Sequence, residues 1–347
     1  MIDKLRTLVL RNGGFSAALA MFLVFFISYQ MLHPRGFSTA VFIQNANESV
    51  AIGFVAIAQT IPVLLGGLDL SVGAVMTLAN TIASHLVTGT PLQMVLGMIA
   101  TLLIGSAFGL MNGLIVVYGR IQPIIATLAT GAIAIGLALL IRPSPGGEID
   151  PDLNWALTNA VFDMAETFGF ADNGNAAWLQ PIANIPVPLI IILVVGVGVW
   201  LPFKRTVTGR TIYAIGSSEG AAYMSGLPVA RAKIAAFTMA GFFASCGGLY
   251  LAIQTSSGNA DISQAGAYTL NSIAAVVLGG TSLLGGIGGA IGSLIGAGIL
   301  RVISFYFRIL SIDPLLQPLI EGLVLLGAVS LGALRTFRVK NMMELFR

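Results

Sequence analysis

The chain has 347 residues, of which 56% are hydrophobic and only 9% are charged, and its mean hydropathy is +0.92. A soluble domain carries roughly 25% charged residues, so this composition excludes an ordinary water-soluble globule. The net charge of +3, without a basic stripe interleaved with aromatic residues, excludes a nucleic-acid binder. We therefore predict an all-α polytopic membrane protein that forms a single transmembrane domain over residues 1–347.

Ten apolar runs are long enough to cross a bilayer, which takes about 20 residues for each helix. They lie at about 15–32, 49–66, 70–88, 92–118, 121–141, 186–203, 232–254, 268–284, 286–304 and 315–334. Glycine pairs interrupt some of these runs, and such pairs mark broken helices in transporters. We expect about ten transmembrane helices, some of them broken or re-entrant, and we interpret the first run as an uncleaved span.

The basic residues indicate the orientation of the chain. With the N-terminus inside, the cytoplasmic segments receive most of the 17 basic residues, namely Lys4, Arg6, Arg11, Arg120, Lys204, Arg205, Arg210, Arg231, Lys233, Arg335, Arg338, Lys340 and Arg347. Because cytoplasmic loops are enriched in Lys and Arg, we expect both termini in the cytoplasm. Arg301 and Arg308 then fall outside, and they would fit better if residues 268–310 formed a re-entrant hairpin.

Two hydrophilic segments lie between the spans. Residues 142–184 are acidic and contain Pro, Asn and Trp, which predicts a periplasmic segment with some structure. Residues 204–233 form the longest inner loop, which is basic. Within this loop, Ser217 or Ser218 can N-cap a short Ala-rich helix that ends at Gly226. A short surface helix between spans favours docking into a groove on another protein over a merely solvated loop.

The glycines form two kinds of pattern. Two ladders with a spacing of four residues predict smooth helix faces that another helix can approach closely, namely Gly105, Gly109 and Gly113, and Gly288, Gly292 and Gly296. In addition, residues 65–73 are repeated in part at 278–286, and both segments are predicted at inner turns. Such breaks can expose backbone groups to a substrate, although two ordinary glycine-rich turns would give the same pattern.

Few residues suggest chemistry. Asp69 and Glu321 fall within apolar runs, where a carboxylate is a functional candidate, but a helix cap for Asp69 and an interfacial or cap role for Glu321 are favoured. Neither has a second carboxylate suited to acid–base catalysis, and no GxxxxGK[ST] phosphate-binding loop is present. We predict no catalytic residue, no metal site and no cofactor bound by this chain.

Five blocks resemble the ribose-type ABC sugar permeases, in that family's order. They are residues 66–73 (GGLDLSVG), 112–116 (NGLIV), 121–128 (IQPIIATL), the inner loop 209–226 and residues 274–286 (AAVVLGGTSLLGG). Several ordered blocks form a far more specific signal than any single motif. The matches cover about residues 45–290.

This resemblance implies the membrane subunit of a bacterial importer in the inner membrane. Two permeases, identical or different, would pair within the lipid and move a neutral monosaccharide by alternating access across their interface. A cytoplasmic ABC ATPase, which binds ATP and Mg, would drive them, and a periplasmic sugar-binding protein would deliver the cargo. The inner loop 204–233 would carry the coupling helix.

The resemblance and the polar residues of the spans give two sets of candidates. The candidate substrate-pathway residues, most of which are equally suited to joining helices by hydrogen bonds, are Asp69, Ser71, Asn80, Asn112, Gln122, Thr127, Asn271, Thr281 and Ser282. The candidate ATPase-coupling residues are Gly209, Arg210, Tyr213, Gly216, Glu219, Ala221, Ala222, Ser225 and Gly226.

One departure from the family pattern affects the coupling loop. The family commonly has Glu-Ala-Ala where this chain has Gly220, Ala221 and Ala222, and Glu219 comes one position early. This shift puts in doubt a contact between the glutamate and the ATPase. A self-sufficient secondary transporter or channel for a small polar solute is the alternative, although Asp69 and Glu321 give little support for ion coupling. An intramembrane enzyme lacks a recognisable nucleophile–base pair.

Overall fold

The computed structural model describes residues 13–171 and 179–316, and parts of 319–330. The helices are α1 Gly13–Leu32, α2 Thr39–Leu64, α3 Val72–Leu86, α4 Pro91–Tyr118, α5 Pro123–Ile141, α6 Pro151–Thr158, α7 Val161–Thr167, α8 Val187–Ile191, α9 Gly198–Arg205, α10 Val207–Ser217, α11 Glu219–Met224, α12 Val229–Thr255, α13 Ile262–Leu278 and α14 Ala290–Ile309. A π-helical segment, Ile192–Val197, joins α8 to α9, and a short 3-10 helix, Pro314–Leu316, follows α14. The described residues form no β-strand beyond two isolated bridges, which confirms the all-α prediction for this part of the chain.

Most of the long helices are suited to a bilayer. Among the residues that the structure describes, 7 segments are long and apolar enough to cross it, namely α1, α2, α4, α5, the continuous α8–α9 segment, α12 and α14. The helices α3 and α13, with 15 and 17 residues, are shorter. Helix α13 ends directly before Gly279 and Gly280, and α3 begins after the turn that contains Gly66 and Gly67. The chain is therefore a multi-pass membrane protein in which two helices are shortened at glycine-rich turns. The tenth predicted run, 315–334, lies largely outside the described residues, as do Glu321 and both termini.

The helix boundaries correct three of the predicted runs. Helix α2 begins at Thr39 rather than 49, because Ser38 caps it by accepting a hydrogen bond from the Val41 amide at 3.4 Å. Helix α13 covers Ile262–Leu278 rather than 268–284, since Asp261 caps its start and Gly280, with φ +80°, follows its end. Helix α14 correspondingly begins at Ala290 rather than 286. Polar caps and left-handed glycines, which an apolar run does not register, set these ends.

Helix α12 lies in the middle of the bundle and packs against α2, α3 and α4. The first predicted glycine ladder lies on the face of α4 that contacts α12. A Cβ atom added to Gly109 would lie 2.2 Å from the carbonyl oxygen of Phe237, and one added to Gly241 would lie 2.2 Å from that of Gly105. The two backbones are thus in direct contact, which only glycine permits.

The second predicted ladder is wrong at its first member. Gly288 lies in the turn before α14 with φ +119°, so it does not share a helix face with the other two glycines. Gly292 and Gly296 do pack closely, since their added Cβ atoms would lie 2.3 Å and 2.0 Å from the carbonyl oxygens of Gly279 and Ala275. The ladder therefore joins α14 to α13 over two positions only.

The segment 142–184 is structured, as predicted, and contains α6 and α7. Its residues Ile149 and Leu153 form a cluster with residues at the C-terminal ends of α3 and α12, namely Ala83, Val87, Ala252 and Ile253. The Asn154 amide also donates a hydrogen bond to the Ile253 carbonyl. The segment therefore covers one end of the bundle. Its residues 172–178 lie outside the described part of the chain.

Arg301 and Arg308, which the predicted orientation placed poorly, both contact Glu48 on α2. The Arg308 guanidinium forms an ion pair with the Glu48 carboxylate, with one nitrogen–oxygen distance of 2.8 Å. Arg301 Nε donates to the main-chain carbonyl of Glu48 at 2.9 Å. These contacts give both arginines a partner, and α14 has 20 residues and is apolar enough to cross a membrane. The re-entrant hairpin at 268–310 stays a prediction.

Removal of the Glu48 carboxylate is expected to lower stability. In Glu48→Gln, Arg308 loses the carboxylate that it contacts through two guanidinium nitrogens, and because 53% of the Arg308 side chain is exposed we expect a loss of about 1 kcal/mol. Thermal unfolding in detergent measures the loss. Glu219→Gln is a matched control, because its ion pair with Lys233 is just as exposed, at 55% on the glutamate side, but consists of a single contact, whose loss should cost only about 0.3 kcal/mol. Equal shifts for the two variants would contradict a structural role for Glu48.

Candidate functional site

The first glycine-rich turn lies between α2 and α3. Pro62 is near the end of α2, and its carbonyl accepts hydrogen bonds from the amides of Leu65 and Gly67, both at 3.0 Å. Gly66 has φ +82°, a conformation that glycine adopts without the steric cost paid by other residues. This local geometry ends α2 and turns the chain towards Asp69.

Asp69 lies at the base of α3 and is only 2% exposed. Its Oδ1 accepts hydrogen bonds from the Ser71 amide at 2.8 Å and from the Ser71 hydroxyl at 2.6 Å. Within the described part of the chain, no ion pair reaches this carboxylate. Asp69 therefore fixes Ser71, the N-cap residue of α3, through an Asx turn. Ser71 itself makes no side-chain capping hydrogen bond, so the helix cap that the sequence favoured is replaced by this turn.

A buried hydrogen-bond network connects this turn to α4 and α5. The Asn112 amide donates to the Ser71 hydroxyl at 2.9 Å, and its carbonyl oxygen accepts from the Thr130 hydroxyl at 2.5 Å. In parallel, the Thr127 hydroxyl accepts from the Leu70 amide at 2.9 Å. These side chains join three helices at one buried point. Substrate contact by Asp69, Ser71, Asn112 and Thr127 stays a prediction.

The second glycine-rich turn covers residues 279–289, between α13 and α14. The Thr281 hydroxyl accepts from the Gly289 amide at 3.2 Å, and the Ser282 amide donates to the Ile287 carbonyl at 3.0 Å. Four glycines in this turn have positive φ, namely Gly280, Gly285, Gly286 and Gly288. Thr281 and Ser282 thus hold the turn closed upon itself.

The three remaining pathway candidates lie on α3, on α13 and immediately before α5. Asn80 is buried on α3, where its amide oxygen accepts from the Asn259 amide at 2.8 Å. Asn271 is half-buried on α13, and Gln122 is exposed immediately before α5. The structure therefore brings together Asp69, Ser71, Asn112 and Thr127 as one group and Thr281 and Ser282 as another.

The inner loop forms two consecutive helices. The Thr206 hydroxyl caps α10 by accepting from the Gly209 amide at 3.0 Å, and the Ser218 hydroxyl caps α11 by accepting from the Ala221 amide at 3.3 Å. Gly226, with φ +75°, follows the end of α11. The predicted short helix between Ser218 and Gly226 is confirmed.

Helix α11 has a covered face and an exposed one. Ala222 is only 4% exposed, whereas Tyr223 and Met224 are 74% and 83% exposed. The early Glu219 forms an ion pair with Lys233 on α12 at 2.6 Å. Large apolar side chains beside a fixed, charged helix start are typical of a protein contact surface.

Helix α3 shows that this loop and the segment 142–184 lie at opposite ends of the bundle. The helix begins at the Asp69 turn, whose neighbour Leu64 contacts α10 through Gly216. It ends at Leu86, beside the residues covered by the segment 142–184. Its 15 residues extend about 22 Å at 1.5 Å per residue.

Sequence reasoning missed three polar residues of this region. Thr130 completes the network around Asn112, the Thr269 hydroxyl accepts from the Gly73 amide at 3.1 Å, and Glu48 pairs with Arg308. Thr130 follows Thr127 by one helical turn, so the face that they share on α5 was a usable signal. Thr269 and Glu48 have partners far away in sequence, and no local pattern marks them.

These features define a class of protein: a multi-pass membrane protein with two glycine-rich turns between apolar helices and a short exposed helix in the loop 204–233. The chain belongs to the family described as the permease component of the branched-chain amino acid transport system, whose model matches residues 41–329. The family is a transport component of ABC importers and not a catalytic enzyme.

Individual relatives cover most of the chain. It is 33% identical to the ribose import permease protein RbsC of Haemophilus influenzae over 303 residues, which are 86% of this chain and 87% of that protein. It is 33% identical to the fructose import permease protein FruG of Bifidobacterium longum over 290 residues, 81% and 79% of the two chains. It is 29% identical to the autoinducer 2 import system permease protein LsrD of Escherichia coli O157:H7 over 286 residues, 82% of each. Solved structures gave no significant match. The resemblance to ribose-type ABC sugar permeases is thereby confirmed.

Proposed function

We propose that this chain is the membrane subunit of an ATP-driven importer of a neutral monosaccharide in the bacterial inner membrane. Two copies, or this chain and a related one, would form the pathway at their interface. A cytoplasmic ABC ATPase would bind ATP and Mg, and a periplasmic binding protein would deliver the sugar. The names of the ribose and fructose permeases support the class of cargo.

The observation that carries this proposal is the exposed face of α11. Tyr223 and Met224 project from a helix whose other side is held by Ala222, the Ser218 cap and the Glu219–Lys233 ion pair. Exposed aromatic and methionine side chains on a fixed helix are typical anchors of a protein interface. An ATPase groove is the partner that an importer permease needs at this end.

The buried polar groups support a neutral cargo. In the described part of the chain, Asp69 is the only acidic or basic side chain among the fully buried residues, and Ser71 already donates two hydrogen bonds to it. A charged substrate or a coupling ion would require a compensating charge along its path. The same observation weighs against the alternative, a secondary transporter or channel for a small polar solute.

The double substitution Tyr223→Ala/Met224→Ala is expected to separate this chain from its ATPase. Both side chains are exposed, so the fold should persist, while the loss of an aromatic anchor weakens an interface by about 30-fold or more. The tagged chain is expressed with its partner ATPase, and the amount of co-purified ATPase and its ATP hydrolysis are measured.

The matched control is Phe168→Ala/Phe170→Ala, which removes two side chains that are 50% and 71% exposed at the opposite end of the bundle. ATPase recovery should be unchanged in this variant. If the unmodified chain recovers no ATPase and transports its solute without ATP, the proposal is wrong and the secondary-transporter alternative takes its place.

A further inference from the structure

The C-terminal end of α10 contacts both glycine-rich turns through backbone atoms. A Cβ atom added to Gly216 would lie 2.0 Å from the Leu64 carbonyl oxygen and 2.4 Å from the Gly286 amide nitrogen. Leu64 ends α2 at the first turn, and Gly286 belongs to the second. No side chain fits at this position unless one of the three backbones moves.

The two turns also contact each other at the same point. The Gly286 amide donates a hydrogen bond to the Leu64 carbonyl at 3.0 Å. A Cβ atom added to Gly285, which has φ +88°, would lie 2.8 Å from the Gly66 nitrogen and 2.9 Å from the Gly216 Cα. We call this meeting of three backbones, at Gly66, Gly216, Gly285 and Gly286, the glycine junction.

Tyr213 provides a second link, one helical turn before Gly216. Its hydroxyl donates to the Gly288 carbonyl at 2.9 Å, and Lys204 Nζ lies 5.1 Å from the centre of its ring. Burial raises the pKa of Tyr213 to about 12. The hydroxyl therefore keeps its proton, and its role as a donor, throughout the physiological pH range.

The mechanical consequence follows from the kind of contact. A contact between side chains can yield through rotamer changes, whereas three touching backbones cannot separate or slide without moving whole helices. Ser218 alone separates α10 from α11. A displacement of α11 therefore reaches the turn between α2 and α3 and the turn between α13 and α14 together.

We propose that the glycine junction couples both broken helix pairs to α11, so that Gly216 is a positioning residue for the transmission of ATPase movement to the transport pathway. This inference rests on the proposed function, in which α11 docks on the ATPase. It assigns to the repeated glycine motifs at 65–73 and 278–286 a joint role: they form the two sides of one contact on α10.

The test compares Gly216→Ala with Gly198→Ala in proteoliposomes that contain the chain, its ATPase and its binding protein. The Cβ atom of the control would meet only the Leu193 carbonyl oxygen at 3.8 Å, an ordinary contact. Radiolabelled ribose and fructose are the probes, and sugar uptake per ATP hydrolysed is the readout. We expect Gly216→Ala to retain ATPase binding but to lose about tenfold in uptake per ATP, a typical size for coupling between sites. Gly198→Ala should stay within about twofold.

Tyr213→Phe keeps the test decisive if Gly216→Ala does not assemble. This variant loses only the donor to Gly288, and we expect uptake per ATP to fall by about threefold while ATP hydrolysis persists. Normal coupling in Gly216→Ala, or in Tyr213→Phe when the alanine variant is lost, overturns the inference while the importer function stands. An unmodified complex that neither binds an ATPase nor requires ATP instead overturns the proposed function.

Discussion

Gly109→Leu is expected to prevent the folding of the membrane domain. Even the Cβ atom of an alanine would lie 2.2 Å from the Phe237 carbonyl oxygen and 3.0 Å from the Gly241 amide nitrogen. These two atoms belong to the backbone, which cannot rotate away as a side chain can. A leucine would therefore force α4 and α12 apart along their contact. Overpacking a core costs about 1–3 kcal/mol and sometimes more, and a leucine at a backbone contact belongs at or above the upper end. The yield of folded protein in detergent and its unfolding temperature measure the effect.

Gly136→Ala provides the control for this experiment. It also lies within a span, on α5, but an added Cβ atom there has nothing within 4 Å. Because alanine favours a helix over glycine by about 0.5–1 kcal/mol, this variant should be as stable as the unmodified chain or slightly more so. A Gly109→Leu protein with normal yield and unfolding temperature would show that α4 and α12 are not in backbone contact.

The glycine ladders illustrate how far the sequence carries a packing prediction. A spacing of four residues correctly identified one face on α4, because the helical period fixes which side chains lie together. It did not identify α12 as the partner, whose glycine Gly241 is not part of a ladder. The same spacing gave a wrong prediction at Gly288. A count of every fourth residue cannot distinguish a turn glycine with positive φ from a glycine within a helix.

The internal repeat was likewise predicted only in part. Its two glycine-rich segments were predicted at inner turns, and both do form turns, with positive φ at Gly66 and Gly280. A glycine pair alone is not a sufficient signal, because Gly247 and Gly248 continue α12. The sequence could not predict that the two turns contact each other and Gly216. Leu64 and Gly286 are far apart along the chain, and a contact between backbones leaves no complementary side chains to recognise.

The sequence identified the individual polar candidates, but it did not predict that they lie together. Asp69, Ser71, Asn112 and Thr127 do meet, but the sequence separated them into different motifs and gave no reason to join them. The structure adds the reason: Asp69, Ser71 and Asn112 are joined by hydrogen bonds at the buried base of α3, and Thr127 accepts from the adjacent Leu70 amide. In an apolar environment a buried polar group requires such a partner, so the network constrains where α4 and α5 can lie.

Asp69→Ala is accordingly expected to destabilise the end of the bundle that contains the Asp69 turn. The substitution leaves the Ser71 amide and hydroxyl without the acceptor that they share at 2.8 Å and 2.6 Å, and each buried group left unpaired costs about 1–3 kcal/mol. The Ser71 hydroxyl also loses the orientation in which it accepts from Asn112, so the effect extends to α4. Asp69→Asn, which keeps an acceptor oxygen, should recover much of the loss.

Asp261→Ala is the informative comparison, because Asp261 forms a similar turn at the start of α13 in an exposed position. Its Oδ1 accepts from the Ser263 and Gln264 amides at 2.8 Å and 3.2 Å, but water can replace it, so an exposed cap of this kind contributes only about 1 kcal/mol. Unfolding in detergent should therefore rank Asp69→Ala well below Asp261→Ala in stability. If the two variants are equally stable, Asp69 is not a structural acceptor, and its carboxylate becomes the first candidate for direct contact with the transported sugar.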